Sequence, residues 1–93
     1  LKSATSRITP LRIMRQTEAS FQKKLIKQYE ADGWYVLKVI QCNKPGWPDL
    51  MLLKPDELRL VEVKAADGRV SQIQAYRHAE LQMLGFNVEI IKP

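Results

Sequence analysis

Two short apolar runs separated by a four-residue break constrain this chain more than any other feature. Asp49-Leu50-Met51-Leu52-Leu53 and Leu58-Arg59-Leu60-Val61-Glu62-Val63-Lys64 flank Lys54-Pro55-Asp56-Glu57. Runs of this length, rich in Leu and Val and bounded by turn residues, read as strands, and Pro55 suits the second position of a type I turn. Together they predict an antiparallel hairpin. With a turn symmetric about Pro55 and Asp56, partner numbers sum to 111 and Asp49 stands directly opposite Glu62. A three-residue turn would slip the register by one and put Val63 there instead, so the placement depends on the turn type.

The remaining elements follow from periodicity and punctuation. Phe21, Leu25 and Tyr29 recur every four residues with Ile26 beside them, which predicts a helix from Thr17 or Glu18 to about Asp32, stopped by Gly33. Trp34 to Gln41 is aromatic and β-branched, as a strand should be, and Asn43-Lys44-Pro45-Gly46 breaks it. Ser71 stands three residues before Gln74 at the head of Ile73, Tyr76, Ala79, Met83 and Leu84, a capping box opening an amphipathic helix that Gly85 ends. Phe86 to Ile91 reads as a last strand. The order helix, three strands, helix, strand predicts an α/β fold with a central mixed sheet flanked by helices.

Carboxylates collect at one end of that sheet. Directly opposed side chains on paired strands have Cβ atoms about 4.5–5.5 Å apart, and two like charges there destabilise a sheet unless something positive lies between them. Lys64 shares the face of Glu62, because side chains alternate with period two. Glu18, three residues before Phe21 and seven before Leu25, is expected on the apolar, inward edge of the first helix. Singly, each has a plain reading: Glu18 as a first-turn acid favoured by the helix dipole, Glu62 and Lys64 as exposed residues of an edge strand. Together, three acids and a lysine describe a magnesium site. Mg²⁺ takes one or two carboxylates and completes its octahedron with waters and phosphate oxygens. Such a site suits hydrolysis of a phosphodiester, with Lys64 orienting the nucleophile or stabilising the transition state.

Size and composition narrow the setting. Ninety-three residues make one small domain, burying about 60–65% of its unfolded surface; a large substrate would call for a second copy. One cysteine, Cys42, and one histidine, His78, exclude an internal disulfide and a Cys/His zinc cage. With no secretion-type leader or long apolar stretch, the expected setting is intracellular and cytoplasmic, in a bacterium or a virus-infected host. The start at Leu1 rather than Met is expected to mark a processed or truncated beginning. The net charge of +5 suggests a polyanionic partner. Residues 1–16 carry Lys2, Arg7, Arg12 and Arg15 and no acid, a basic, flexible arm; residues 17–93, the folded domain, hold eleven basic and ten acidic side chains.

Glu18, then Gly46-Trp47-Pro48-Asp49-Leu50, then Glu62-Val63-Lys64, then Ser71 and Gln74, resembles the PD-(D/E)xK nuclease superfamily and within it the VRR-NUC group, over residues 17–93. The resemblance implies a restriction-endonuclease-like core and metal-dependent cleavage of DNA, with Mg²⁺ or Mn²⁺ as cofactor. It implies that Asp49, Glu62 and the backbone carbonyl of Val63 bind metal, that Glu18 is a further ligand, directly or through a water, that Lys64 is catalytic, and that Gln74 supports the site. Small free-standing members are similar to Holliday-junction resolvases, which implies a homodimer acting on branched or four-way junction DNA. Two symmetry-related strands at a junction suit a two-fold dimer.

Lys38, Lys44, Arg69 and Ser71 are candidates for contacts to DNA phosphates, each with a plainer reading as a solvated charge or, for Ser71, a helix cap. His78 reads as an ordinary boundary histidine and Trp47 receives no catalytic role. The glycines lack phosphate-loop spacing, so no nucleotide cofactor is expected. Two alternatives stay open: a non-catalytic basic module that binds nucleic acid on the same fold, and an RNA-processing nuclease.

Overall fold

A computed structural model describes residues 16–93, so the basic arm lies almost wholly outside the described residues. Helix α1, Glu18–Ala31, is followed by strands β1, Tyr35–Lys38, β2, Leu50–Lys54, and β3, Glu57–Val63, then helix α2, Gln72–Met83, and strand β4, Val88–Ile91. The element order and the mixed α/β class are those the sequence predicts. The strands form one four-stranded sheet in the order β1-β2-β3-β4. β1, β2 and β3 pair antiparallel, and β3 pairs parallel with β4, because α2 carries the chain back across the sheet.

Local chemistry sets the helix ends. Thr17 caps α1 in a reciprocal box with Ser20, whose N–H donates to Thr17 Oγ1 at 3.0 Å while the Thr17 N–H donates to Ser20 Oγ at 3.1 Å. At the other end Gly33 adopts φ +89°, its N–H donates to Glu30 and the Trp34 N–H donates to Tyr29. Gly85 closes α2 in the same way, at φ +96° with the Phe86 N–H on Leu81. Both are Schellman motifs, which need a left-handed residue that glycine supplies without strain.

The hairpin register pairs Leu50 with Val61 and Lys54 with Glu57, so partner numbers sum to 111 as predicted. The turn type differs from expectation. Asp56 sits at φ +61°, which a type I turn does not allow at its third position and a type II turn requires. Both types connect the strands with the same two central residues, so the register survives the change.

One face of the sheet is well covered. Phe21, Leu25 and Trp34 pack on Leu50, Leu52, Val61 and Val63, with Ile26, Tyr29, Val36 and Ile91 around them. The other face is covered only in part: α2 seats Leu81 near Leu60, while Tyr35 and Leu37, paired with Leu53 and Met51, stay exposed together with Leu58 and Phe86. No described helix is long and apolar enough to cross a membrane.

Candidate active site

Asp49 immediately precedes β2 and is fixed from both sides. Its carbonyl accepts from the Val39 N–H at 2.8 Å, and its carboxylate Oδ2 accepts from the Val63 N–H at 2.8 Å. The ladder, continued by one pair, sets it opposite Glu62. Before it, Pro48 is buried and Gly46 adopts φ +83°. A Cβ on Gly46 would lie 2.5 Å from the Ile73 carbonyl oxygen. Only glycine lets this loop pass the first turn of α2, which is the physical reason for a glycine two residues before Pro48. Arg77, buried on α2, ties down the same loop by donating from Nε to the Pro45 carbonyl at 2.9 Å, and pairs with Glu80.

Glu62 is fully buried, at 0% exposure, and its side chain is surrounded by polar groups. Gln74 Nε2 donates to its Oε2 at 3.0 Å, His78 Nε2 lies 3.3 Å from its Oε1, and Lys64 Nζ lies 3.8 Å from Oε2. Gln74 serves twice, since its Oε1 also accepts from the Ser71 N–H at 2.9 Å in the cap of α2. Burial, first, and then a hydrogen bond with Asp49 and its negative charge push the Glu62 carboxyl up to about 8, against the pull of Lys64. Glu62 therefore keeps its proton across much of the neutral range. His78 is held below its usual value, mainly by burial and then by Lys64, and so stays neutral at pH 7.

Asp49, Glu62, Lys64 and Gln74 meet as the sequence suggested. Glu18 does not face inward: it is exposed in the first turn of α1. Its position seven residues before Leu25 lies at the helix end, where the apolar stripe has run out. Its charge still reaches Glu62, as the least of the influences on that carboxyl. Among the described residues, no three His, Cys, Asp or Glu side chains form a metal cage. Lys38, Lys44, Arg69 and Ser71 are exposed; among the described residues the three cations form no ion pair with an acid, and Ser71 caps α2 by accepting from the Gln74 N–H at 3.2 Å. Sequence reasoning missed His78 and Arg77. Gln74 and His78 stand four apart on one helix face, a spacing that could have marked His78 once Gln74 was placed at the site.

The donor set fits a hard divalent cation. Two carboxylates forced together, one retaining a proton because nothing stronger neutralises it, offer oxygen ligands of the kind Mg²⁺ takes in ones and twos. The buried Val63 beside them adds a main-chain oxygen whose residue is already fixed through its N–H.

A mixed sheet with this carboxylate pair and lysine at one end defines a nuclease-type α/β domain. The VRR-NUC domain family model matches residues 3–92, nearly the whole chain, and the chain belongs to that family. A nuclease domain implies DNA as its substrate. No curated protein sequence matches the chain significantly.

Proposed function

We propose that the chain is a Mg²⁺- or Mn²⁺-dependent, structure-specific DNA endonuclease that hydrolyses phosphodiester bonds in branched or four-way junction DNA as a homodimer. The observation that carries this reading is the buried Glu62 carboxyl, raised to about 8 beside Asp49. A site that must keep a proton to tolerate its own charge is built for something more positive. When bound, a divalent ion supplies Lewis acidity and lowers the pKa of a bound water.

Asp49, Glu62 and the Val63 carbonyl would hold that ion, with Glu18 contributing directly or through a water from the exposed edge. Gln74, on α2, fixes one oxygen of Glu62 by donating to it. Lys64 stays beside the pair, with its side chain 11% exposed; its ammonium orients the nucleophile or offsets charge developing on the phosphate. Lys38, Lys44, Arg69 and the Ser71 hydroxyl would meet backbone phosphates away from the cut. The open apolar face of Tyr35, Leu37, Leu53, Leu58 and Phe86 supports a second copy, since monomers rarely leave such a patch bare.

Cleavage of a labelled four-way junction with Mg²⁺ tests the activity, with Lys64→Ala and Asp49→Asn as controls. The parent cuts and both variants bind without cutting. Binding without cleavage under any divalent ion would mean a non-catalytic binding module, and preferential cleavage of structured RNA would mean an RNA-processing enzyme. Sedimentation with and without junction DNA tests the dimer, and a monomer at micromolar concentration in both cases removes it.

A further inference from the structure

Glu62 has two carboxylate oxygens and two partners on the same helix. Gln74 and His78 stand one turn apart on α2, and each presents a ring or amide nitrogen to a different oxygen, Gln74 to Oε2 at 3.0 Å and His78 to Oε1 at 3.3 Å. The imidazole is largely enclosed, with 12% of its side chain exposed. An enclosed polar ring four residues from a site glutamine is costly to bury unless it has a partner, and Glu62 is the partner it has. Among the described residues, the other charged groups acting on it are Lys64 and Asp49, both of the same site.

We propose that His78 is a positioning residue for the metal site: its Nε2–H fixes the second oxygen of Glu62, so that Gln74 and His78 together set the rotation of the carboxylate that faces the ion. The inference rests on the reading of Glu62 as a metal ligand. A carboxylate held by one donor can rotate about its last bond, while one held at both oxygens presents fixed lone pairs to the ion. Partners of ligating groups in this second layer typically affect metal affinity about 10- to 100-fold.

The test measures Mn²⁺ affinity of the full chain without DNA, by the loss of free Mn²⁺ signal in electron paramagnetic resonance, for the parent, His78→Phe, His78→Gln and His78→Ala. His78→Phe keeps an enclosed ring and removes the donor; His78→Gln returns an N–H donor. The expected result is Mn²⁺ binding weakened about 10- to 100-fold in His78→Phe, recovered in part by His78→Gln, with thermal unfolding of both showing a single folded domain. A role in packing alone predicts the reverse order, with Phe closer to the parent than Gln. Should His78→Phe fail to fold, His78→Gln decides: parent-like affinity supports the donor role, and affinity as low as that of His78→Ala overturns it. Equal Mn²⁺ affinity in the parent and His78→Phe overturns the inference and leaves the proposed nuclease standing. No Mn²⁺ binding by the parent overturns both.

Discussion

Glu62 and Glu89 are the same residue type on neighbouring strands, yet the fold treats them oppositely. On β4, Glu89 stands opposite Val61, one ladder position from Glu62 on the other face of the sheet. Arg59 grips it with both arms, Nε to Oε2 at 2.8 Å and Nη2 to Oε1 at 2.7 Å, and this pairing holds the Glu89 carboxyl below its usual value. The same guanidinium lies over the rings of Tyr29 and Trp34. Among the described residues Glu62 has no arginine partner; it is buried against another acid, and the one ammonium near it, that of Lys64, is 3.8 Å away. One carboxylate has its charge matched within the fold and serves stability. The other is left unmatched, which a fold optimised only for stability would not do.

The comparison breaks if the unmatched charge proves dispensable. Asp49→Asn or Lys64→Ala is expected to lower junction cleavage on the order of a thousandfold or more. Glu89→Gln, one ladder position away, should leave cleavage within about twofold, since a surface ion pair contributes little beyond its own locality. Single-turnover cleavage of the same junction by all three variants checks this, and an equal loss in Glu89→Gln would erase the distinction between the two faces.

How far the two carboxylates could be told apart from sequence depends on which forces place them. The hairpin register was legible because Pro55 and the lengths of two apolar runs are local, so the opposition of Asp49 and Glu62 followed by counting. The Gly46 and Gln74 positions were legible as a pattern, but the contact of Gly46 with the Ile73 carbonyl is between segments 27 residues apart. Glu18 was misplaced because a helical period says nothing about where the covering sheet ends. The Arg59–Glu89 pair was missed because it depends on the parallel β3–β4 pairing, and His78 because its contact depends on how α2 docks against β3, both set at long range. The turn at Asp56 was given the wrong type because an aspartate at positive φ is uncommon though tolerated.

Free energy sharpens the comparison next. In the metal-free protein, folding raises the Glu62 carboxyl from 4.5 to about 8, so the folded state holds this proton more tightly than the unfolded chain. Stability from this group is complete below pH 4.5 and is lost as pH rises toward 8. Glu62→Gln removes the titration and keeps a group able to donate to Asp49 and accept from Gln74. At pH 8 it is expected to stabilise the metal-free protein by on the order of 3 kcal/mol while abolishing cleavage. Urea unfolding in a chelator at pH 5 and pH 8 measures it, and the parent should show the larger fall between the two.

The loop that delivers Asp49 gives a smaller effect. Gly46→Ala places a methyl group 2.5 Å from a main-chain oxygen in a backbone that L side chains avoid, and is expected to cost about 2 kcal/mol. It should also reduce cleavage, because the α2 first turn and the Asp49 loop must separate to admit it. Stability loss with full activity would mean that the loop can shift without moving Asp49.

The matched carboxylate yields the smallest effect, with the opposite slope. Its folded value is depressed, so the Glu89 contribution is present above the unfolded value of 4.5 and is lost as pH falls through the lower folded value. Both partners are about one-third exposed, and solvent screening limits the pair to below about 1 kcal/mol. Glu89→Gln should therefore flatten the acid side of the stability curve slightly and leave the neutral side unchanged, where Glu62→Gln flattens the neutral side and leaves the acid side alone. In the metal-free parent the two slopes meet at the common unfolded value: below pH 4.5 the Glu89 contribution is being lost, and above it the Glu62 contribution is. Stability from these two groups is therefore greatest near pH 4.5. A divalent ion, by displacing the Glu62 proton, should move that maximum upward in pH while leaving the acid limb set by Glu89 where it was.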